Sequence, residues 1–162
     1  MKTLIIYDSH YGNTEKIASA IAKALSPSKA LGEGGGEVKI LRPAQAKVSD
    51  LISLDLLVVG SPTHGGWPTP AIRKFLNEIP DGALKNIKVA AFDTRFSKMD
   101  QGIGIRLLIR ILSFAASKIA EALKDKGGDL KVEGEGFIVE GKEGPIKQGE
   151  LERAAEWAKN LL

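Results

Sequence analysis

The chain has 162 residues, 43% of them hydrophobic and 27% charged, with a mean hydropathy of −0.05, as expected of one globular domain large enough to bury a full core. It contains no cysteine, which excludes disulfides, cysteine nucleophiles, Cys-ligated zinc and iron–sulfur clusters. Lys and Arg number 23 against 20 Asp and Glu; a scattered excess of +3, with only five Phe, two Trp and two Tyr, argues against a nucleic-acid-binding surface.

The first apolar run spans only Leu4 to Tyr7 before Asp8, too short for the apolar region of a signal peptide. The longest charge-free stretch, Leu56 to Ile72, is interrupted by Gly60, Pro62, Gly65, Gly66, Pro68 and Pro70, so it cannot form a membrane helix. A cytoplasmic protein without an integral membrane segment is expected.

Thr3 to Tyr7 predicts a first buried strand. Thr14 to Leu25 predicts a helix with Ile17, Ala18, Ile21 and Leu25 on one face, ended by Pro27. Gly32 to Gly36 has the composition of a flexible loop and leads to a second strand at Val38 to Leu41. The polar segment Pro43 to Ser53 has room for one or two helical turns before a third buried strand, Leu56 to Gly60. Pro70 suits a first helical position; Ile72, Phe75, Leu76 and Ile79 give that helix its stripe, and Pro80 closes it. Ile87 to Phe92 predicts a fourth strand, and Ile105 to Lys126 a long helix capped at Gly127-Gly128. Leu130 to Val132 and Phe137 to Val139 predict two pieces of a last strand, separated by Glu133-Gly134-Glu135-Gly136. A final helix from Gly149 to Leu162 should turn Leu151, Ala154, Ala158 and Leu161 inward.

Five strands, each followed by a connection able to return the chain, imply a three-layer α/β sandwich on a parallel sheet, in one domain covering 1–162. Ligands of such sheets bind beyond the carboxyl ends of the strands, so the segments after strands one, three and four should carry the function.

Asp8-Ser9-His10-Tyr11-Gly12-Asn13-Thr14 joins the first strand to the first helix and is rich in hydroxyls. Free N–H groups and the positive dipole end at the helix start favour an anion, with Ser9, Asn13 and Thr14 as further donors and Gly12 permitting close backbone approach. It is neither a P-loop nor a Gly-x-Gly-x-x-Gly turn. The plainer alternative is that Asn13 caps the helix and Ser9 stabilises a turn.

Gly60-Ser61-Pro62-Thr63-His64-Gly65-Gly66-Trp67-Pro68-Thr69-Pro70 follows the third strand. A tryptophan between glycine and proline suits stacking on a planar ligand at the rim of a cleft; covering the top of the sheet is the alternative. His10 and His64 lie in loops at the same end of the sheet, but two histidines without a third ligand fall short of a metal site, and a polar loop role is expected.

Over essentially its whole length the chain resembles a short-chain flavodoxin or a close flavodoxin-like FMN protein. Ser9-His10-Tyr11-Gly12-Asn13-Thr14 is similar to the family's phosphate loop, Ser/Thr-x-Thr-Gly-x-Thr, with Tyr11 in place of the middle threonine, which moves or removes one hydroxyl close to the phosphate. Ser61-Pro62-Thr63-His64-Gly65-Gly66-Trp67 matches the second flavin loop, and Phe92-Asp93-Thr94-Arg95-Phe96 the third. The resemblance implies strand order 2-1-3-4-5, with FMN at the switch point between the first and third strands. It implies that Ser9, Tyr11, Gly12, Asn13 and Thr14 hold the phosphate, that backbone groups of Thr63 to Gly66 meet the flavin edge, and that Trp67 and Phe96 stack on its two faces. His10, Ser61, Pro62, Asp93 and Thr94 complete the expected cofactor site; no catalytic side chain or metal is expected. Arg95, if near the flavin's N1 and O2, would raise the second reduction potential; a solvated loop cation is the alternative.

Gly102 to Leu112 is more apolar than a half-exposed helix needs, with Leu107 and Ile111 outside the main stripe, so a homodimer through 103–112 is entertained beside burial within the domain. The implied function is electron transfer between redox partner proteins, whose docking surfaces should be acidic given the mild basicity. An FMN-dependent NAD(P)H:quinone oxidoreductase and a flavin-free binding module on the same fold are the alternatives.

Overall fold

In β1, Lys2–Tyr7, every residue after the first is buried, so its backbone must be satisfied by strands on both sides. It pairs in parallel with β2, Glu37–Leu41, on one edge and β3, Leu56–Pro62, on the other. β4, Lys88–Phe96, lies beyond β3 and is flanked in turn by two short parallel strands, β5 (Asp129–Leu130) and β6 (Glu135–Val139). The order is β2-β1-β3-β4-β5, with β6 also on β4, as expected of a last strand in two pieces. The computed structural model describes residues 1–26, 36–96 and 114–162.

Side chains alternate along a strand, so each strand feeds two cores. Leu4, Ile6, Leu57, Val59, Val89 and Ala91 face α2 (Pro70–Glu78) and α3 (Ala115–Asp125). Ile5, Tyr7, Val58, Ala90 and Phe92 face α1 (Asn13–Leu25) and α4 (Glu150–Lys159). On that second face Phe92, Phe137 and Trp157 meet edge-on, with centroids 6.1 to 6.4 Å apart. The segment between β2 and β3 contains two 3₁₀ turns, Pro43–Gln45 and Val48–Leu51.

Three expectations need correction. β4 does not end at Phe92: Asp93 to Phe96 remain in the sheet because Gly136 to Val139 pair alongside them. The expected third loop is therefore strand. In α4, Leu151 is exposed and Trp157 buried; Glu150 occupies the buried place in the first turn, accepting from the Ile138 N–H at 2.6 Å and pairing with Arg153. The break in the last strand lies at 131–134 and not at 133–136, because Glu135 and Gly136 pair with Phe92 and Asp93, and it falls where α3 approaches closely, since a Cβ on Gly134 would strike the backbone and side chain of Ala116.

The described part of the predicted 105–126 helix is α3, and the apolar stretch 103–112 lies outside the described residues. Among the described residues no helix is long and apolar enough to cross a membrane.

Candidate functional site

At the carboxyl ends of β1, β3, β4 and β6 the chain encloses a cleft of about 400 Å³, within the range usual for cofactor sites. One wall is Ser9, His10, Tyr11, Asn13 and Thr14; the second is Pro62, Thr63, His64 and Gly65; the third is Thr94, Arg95 and Phe96. Val139 and Lys142 complete it. Gly12, Ser61, Gly66, Trp67 and Asp93, expected at the site, are not in this lining.

The first loop is braced from behind. Arg42, stacked 4.7 Å from the centroid of the Tyr7 ring, donates to Asp8 Oδ1 and to the Ser9 carbonyl, each at 3.0 Å. The Ser9 amide donates to Asp8 Oδ1 (2.9 Å), and Ser9 Oγ accepts from the Gly12 N–H (3.0 Å). Gly12 precedes α1 with φ +83°, and among the described residues no side chain caps this helix. Its first-turn amides lack the acceptor that a capping residue would supply, and they lie at the cleft. Asn13 does not cap; its Nδ2 donates to the Glu143 carbonyl at 3.1 Å. Thr14 and Thr94, both buried, share a 2.9 Å hydroxyl bond that ties α1 to β4.

The second loop satisfies itself. His64 and Trp67 exchange both backbone bonds at 3.0 Å, and Gly65 (φ +57°) and Gly66 (φ +82°) take the two left-handed positions that so tight a reversal demands. This hairpin carries Trp67 outside the cleft wall. Trp67 is 53% exposed, with Lys118 Nζ 4.0 Å and the Arg73 guanidinium 6.0 Å from its ring centroid. Ser61 Oγ accepts from the Thr69 N–H and donates to the Pro62 carbonyl, both at 2.9 Å, while Thr69 Oγ1 caps α2 by accepting from Ile72 at 3.4 Å. The His10 and His64 rings stack between the two loops, centroids 5.1 Å apart and planes 30° apart.

Asp93 is fully buried behind the third wall. Its carboxylate accepts from Arg95 Nε (2.5 Å) and Nη2 (2.7 Å) and from the Ala116 amide at the start of α3 (2.9 Å). Burial pushes its carboxyl above the usual range, against the opposing pull of Arg95, Ala116 and Thr63. Arg95 also lies 3.7 Å from the centroid of the Phe114 ring. It is thus neither a solvated cation nor an unmatched charge beside the cleft, because Asp93 balances it.

The donor set suits a flat group bearing a phosphate. Hydroxyls of Ser9 and Tyr11, the uncapped start of α1 and Lys142 are polar, while Tyr11 (45% exposed) and Phe96 (46%) offer ring surface. Sequence reasoning missed Val139 and Lys142, although the carboxyl-end rule that singled out the other three loops applies equally to the chain after the last strand.

The flavodoxin domain family matches residues 4–106. Among curated proteins the chain is similar to a flavodoxin of Aquifex aeolicus, 33% identical over 78 residues, covering 48% of this chain and 40% of that protein. It is also similar to the uncharacterized protein MJ0732 of Methanocaldococcus jannaschii, 37% identical over 79 residues, covering 46% of this chain and 19% of that one. The chain thus spans less than half the length of either curated relative it matches. Its fold is similar to that of oxidised flavodoxin 1 from Bacillus cereus, with a TM-score of 0.69 at 20% identity over 99% of this chain and 97% of that one. Sheet order, cleft position and a family match covering most of the sequence agree: this chain belongs to the flavodoxin domain family, whose membership implies a flavin cofactor.

Proposed function

We propose that the chain is a single domain that binds FMN in the cleft and carries electrons between protein partners. The observation that carries this reading is the convergence, in one cleft, of the uncapped start of α1 with the half-exposed rings of Tyr11 and Phe96. Ser9, Asn13 and the first-turn amides of α1 would hold the phosphate, a role favoured by the helix dipole. Pro62 to Gly65 and Phe96 would bound the ring system, with Gly65 leaving the backbone bare on that side. Bound there, FMN supplies the redox chemistry. The Thr14–Thr94 bond and the Asp93 network keep the walls in register. Outside the cleft, Trp67 beside Arg73 and Lys118 supports docking of acidic partner surfaces.

The test is to strip the purified protein of flavin, titrate it with FMN, and then supply NADH or NADPH with a quinone. Stoichiometric uptake with a flavin visible spectrum and no steady turnover is the expected result. Sustained quinone reduction would transfer the chain to the oxidoreductase alternative, and absence of uptake would remove the cofactor.

A further inference from the structure

We propose that Lys142 contacts the phosphate of the flavin and makes the cleft selective for the phosphorylated cofactor over riboflavin; this rests on the FMN reading above. Lys142 lies on the turn that follows β6, away in sequence from all three loops named from the sequence, yet it lines the cleft. The turn is well defined. The Gly144 N–H donates to the Gly141 carbonyl at 3.0 Å, Glu140 and Lys147 donate to Pro145 and Ile138 across its base at 2.9 Å, and Val139 and Ile146 form an antiparallel bridge.

This turn rests on the start of α1. The Glu143 carbonyl accepts from Asn13 Nδ2, and a Cβ on Gly144 would meet that same amide group at 2.7 Å. Lys142 is therefore presented at the end of the cleft where the first-turn amides of α1 lie. Among the described residues the neighbouring charges do not cancel it. Asp8 and Glu15 are occupied by Arg42, at 3.0 and 3.5 Å, and exposed Glu143 is not part of the cleft wall. Lys142 itself has no ion pair among the described residues. An unmatched ammonium beside uncapped amides suits a phosphate monoester, which carries between one and two negative charges near neutral pH.

The experiment titrates flavin-free wild type, Lys142→Gln and Lys142→Arg with FMN and, separately, riboflavin, following flavin fluorescence at about 0.02 M and about 0.5 M salt. At low salt, Lys142→Gln should weaken FMN binding by about three- to tenfold and leave riboflavin within about twofold, Lys142→Arg should retain most of the FMN affinity, and high salt should close the gap. Unchanged FMN affinity in Lys142→Gln, or an equal loss for both flavins, would overturn the assignment while leaving FMN binding intact. Wild type that takes up neither flavin would overturn the cofactor reading and this inference with it.

Discussion

The loops after β1 and β3 look alike in composition, each offering a histidine, hydroxyls and glycine, but they differ in what they leave unsatisfied. The loop after β3 closes on itself: His64 and Trp67 bond each other, Ser61 holds Thr69, and Thr69 caps α2. The loop after β1 is fixed from behind by Arg42 and leads into a helix that no side chain among the described residues caps. Composition therefore identifies two candidate loops, and hydrogen-bond accounting separates the one that offers donors to a ligand from the one that chiefly shapes the wall.

Substitutions in the two loops and in their supports should differ widely in their effect on stability. Asp93→Ala should be the most severe, at about 3 kcal/mol, because it leaves Arg95 and the Ala116 amide without their acceptor behind the second and third walls. A urea midpoint close to wild type would mean that those walls are held by something else. Glu150→Gln acts on the support of the turn that leans on Asn13 and should cost about 1–2 kcal/mol at pH 7, a figure reduced for the partly exposed Arg153.

The pH dependence of Glu150 has a definite sign. Burial raises its carboxyl, but Arg153 and the Ile138 amide outweigh burial and hold it below the usual range. A depressed folded-state value contributes stability that is present above the unfolded-state value and is lost as pH falls through the folded one. The gap between wild type and Glu150→Gln should therefore narrow below about pH 4, and denaturation curves at pH 7 and in acid would reveal a constant gap if this is wrong.

The two loops are contrasted most directly by a pair of milder changes. Thr69→Ala removes the α2 cap and should cost about 1 kcal/mol while leaving FMN affinity within about twofold. Ser9→Ala loses one bond to the Gly12 amide, about 0.5 kcal/mol, but should weaken FMN about tenfold. If calorimetry found the reverse assignment, with affinity following Thr69 and not Ser9, the division between the loops would be lost.

The strands were legible in the sequence because buried runs such as Leu4 to Tyr7 and Leu56 to Gly60 admit few other environments. The continuation of β4 was not, since Asp93, Thr94 and Arg95 are polar and remain in the sheet through pairing with residues some forty positions later. Their burial is made tolerable by contacts that no local pattern encodes: Thr94 to Thr14, and Asp93 to both Arg95 and Ala116. The position of Trp67 was equally hidden, because the direction of its ring is set by two left-handed glycines and not by its neighbours' hydrophobicity. In α4 the periodicity fitted Leu151 and Trp157 alike, and the Glu150–Arg153 pair decided between them.

The interruption of the last strand also bears on how the molecule coexists with other chains. An unpaired sheet border invites a foreign strand to add to it. Here that border is divided into pieces of two and five residues, offset where Gly134 meets α3, and the opposite border at β2 carries Glu37 and Lys39. Neither side presents a long, flat, uncharged template, and that guards the sheet against fibril-like growth.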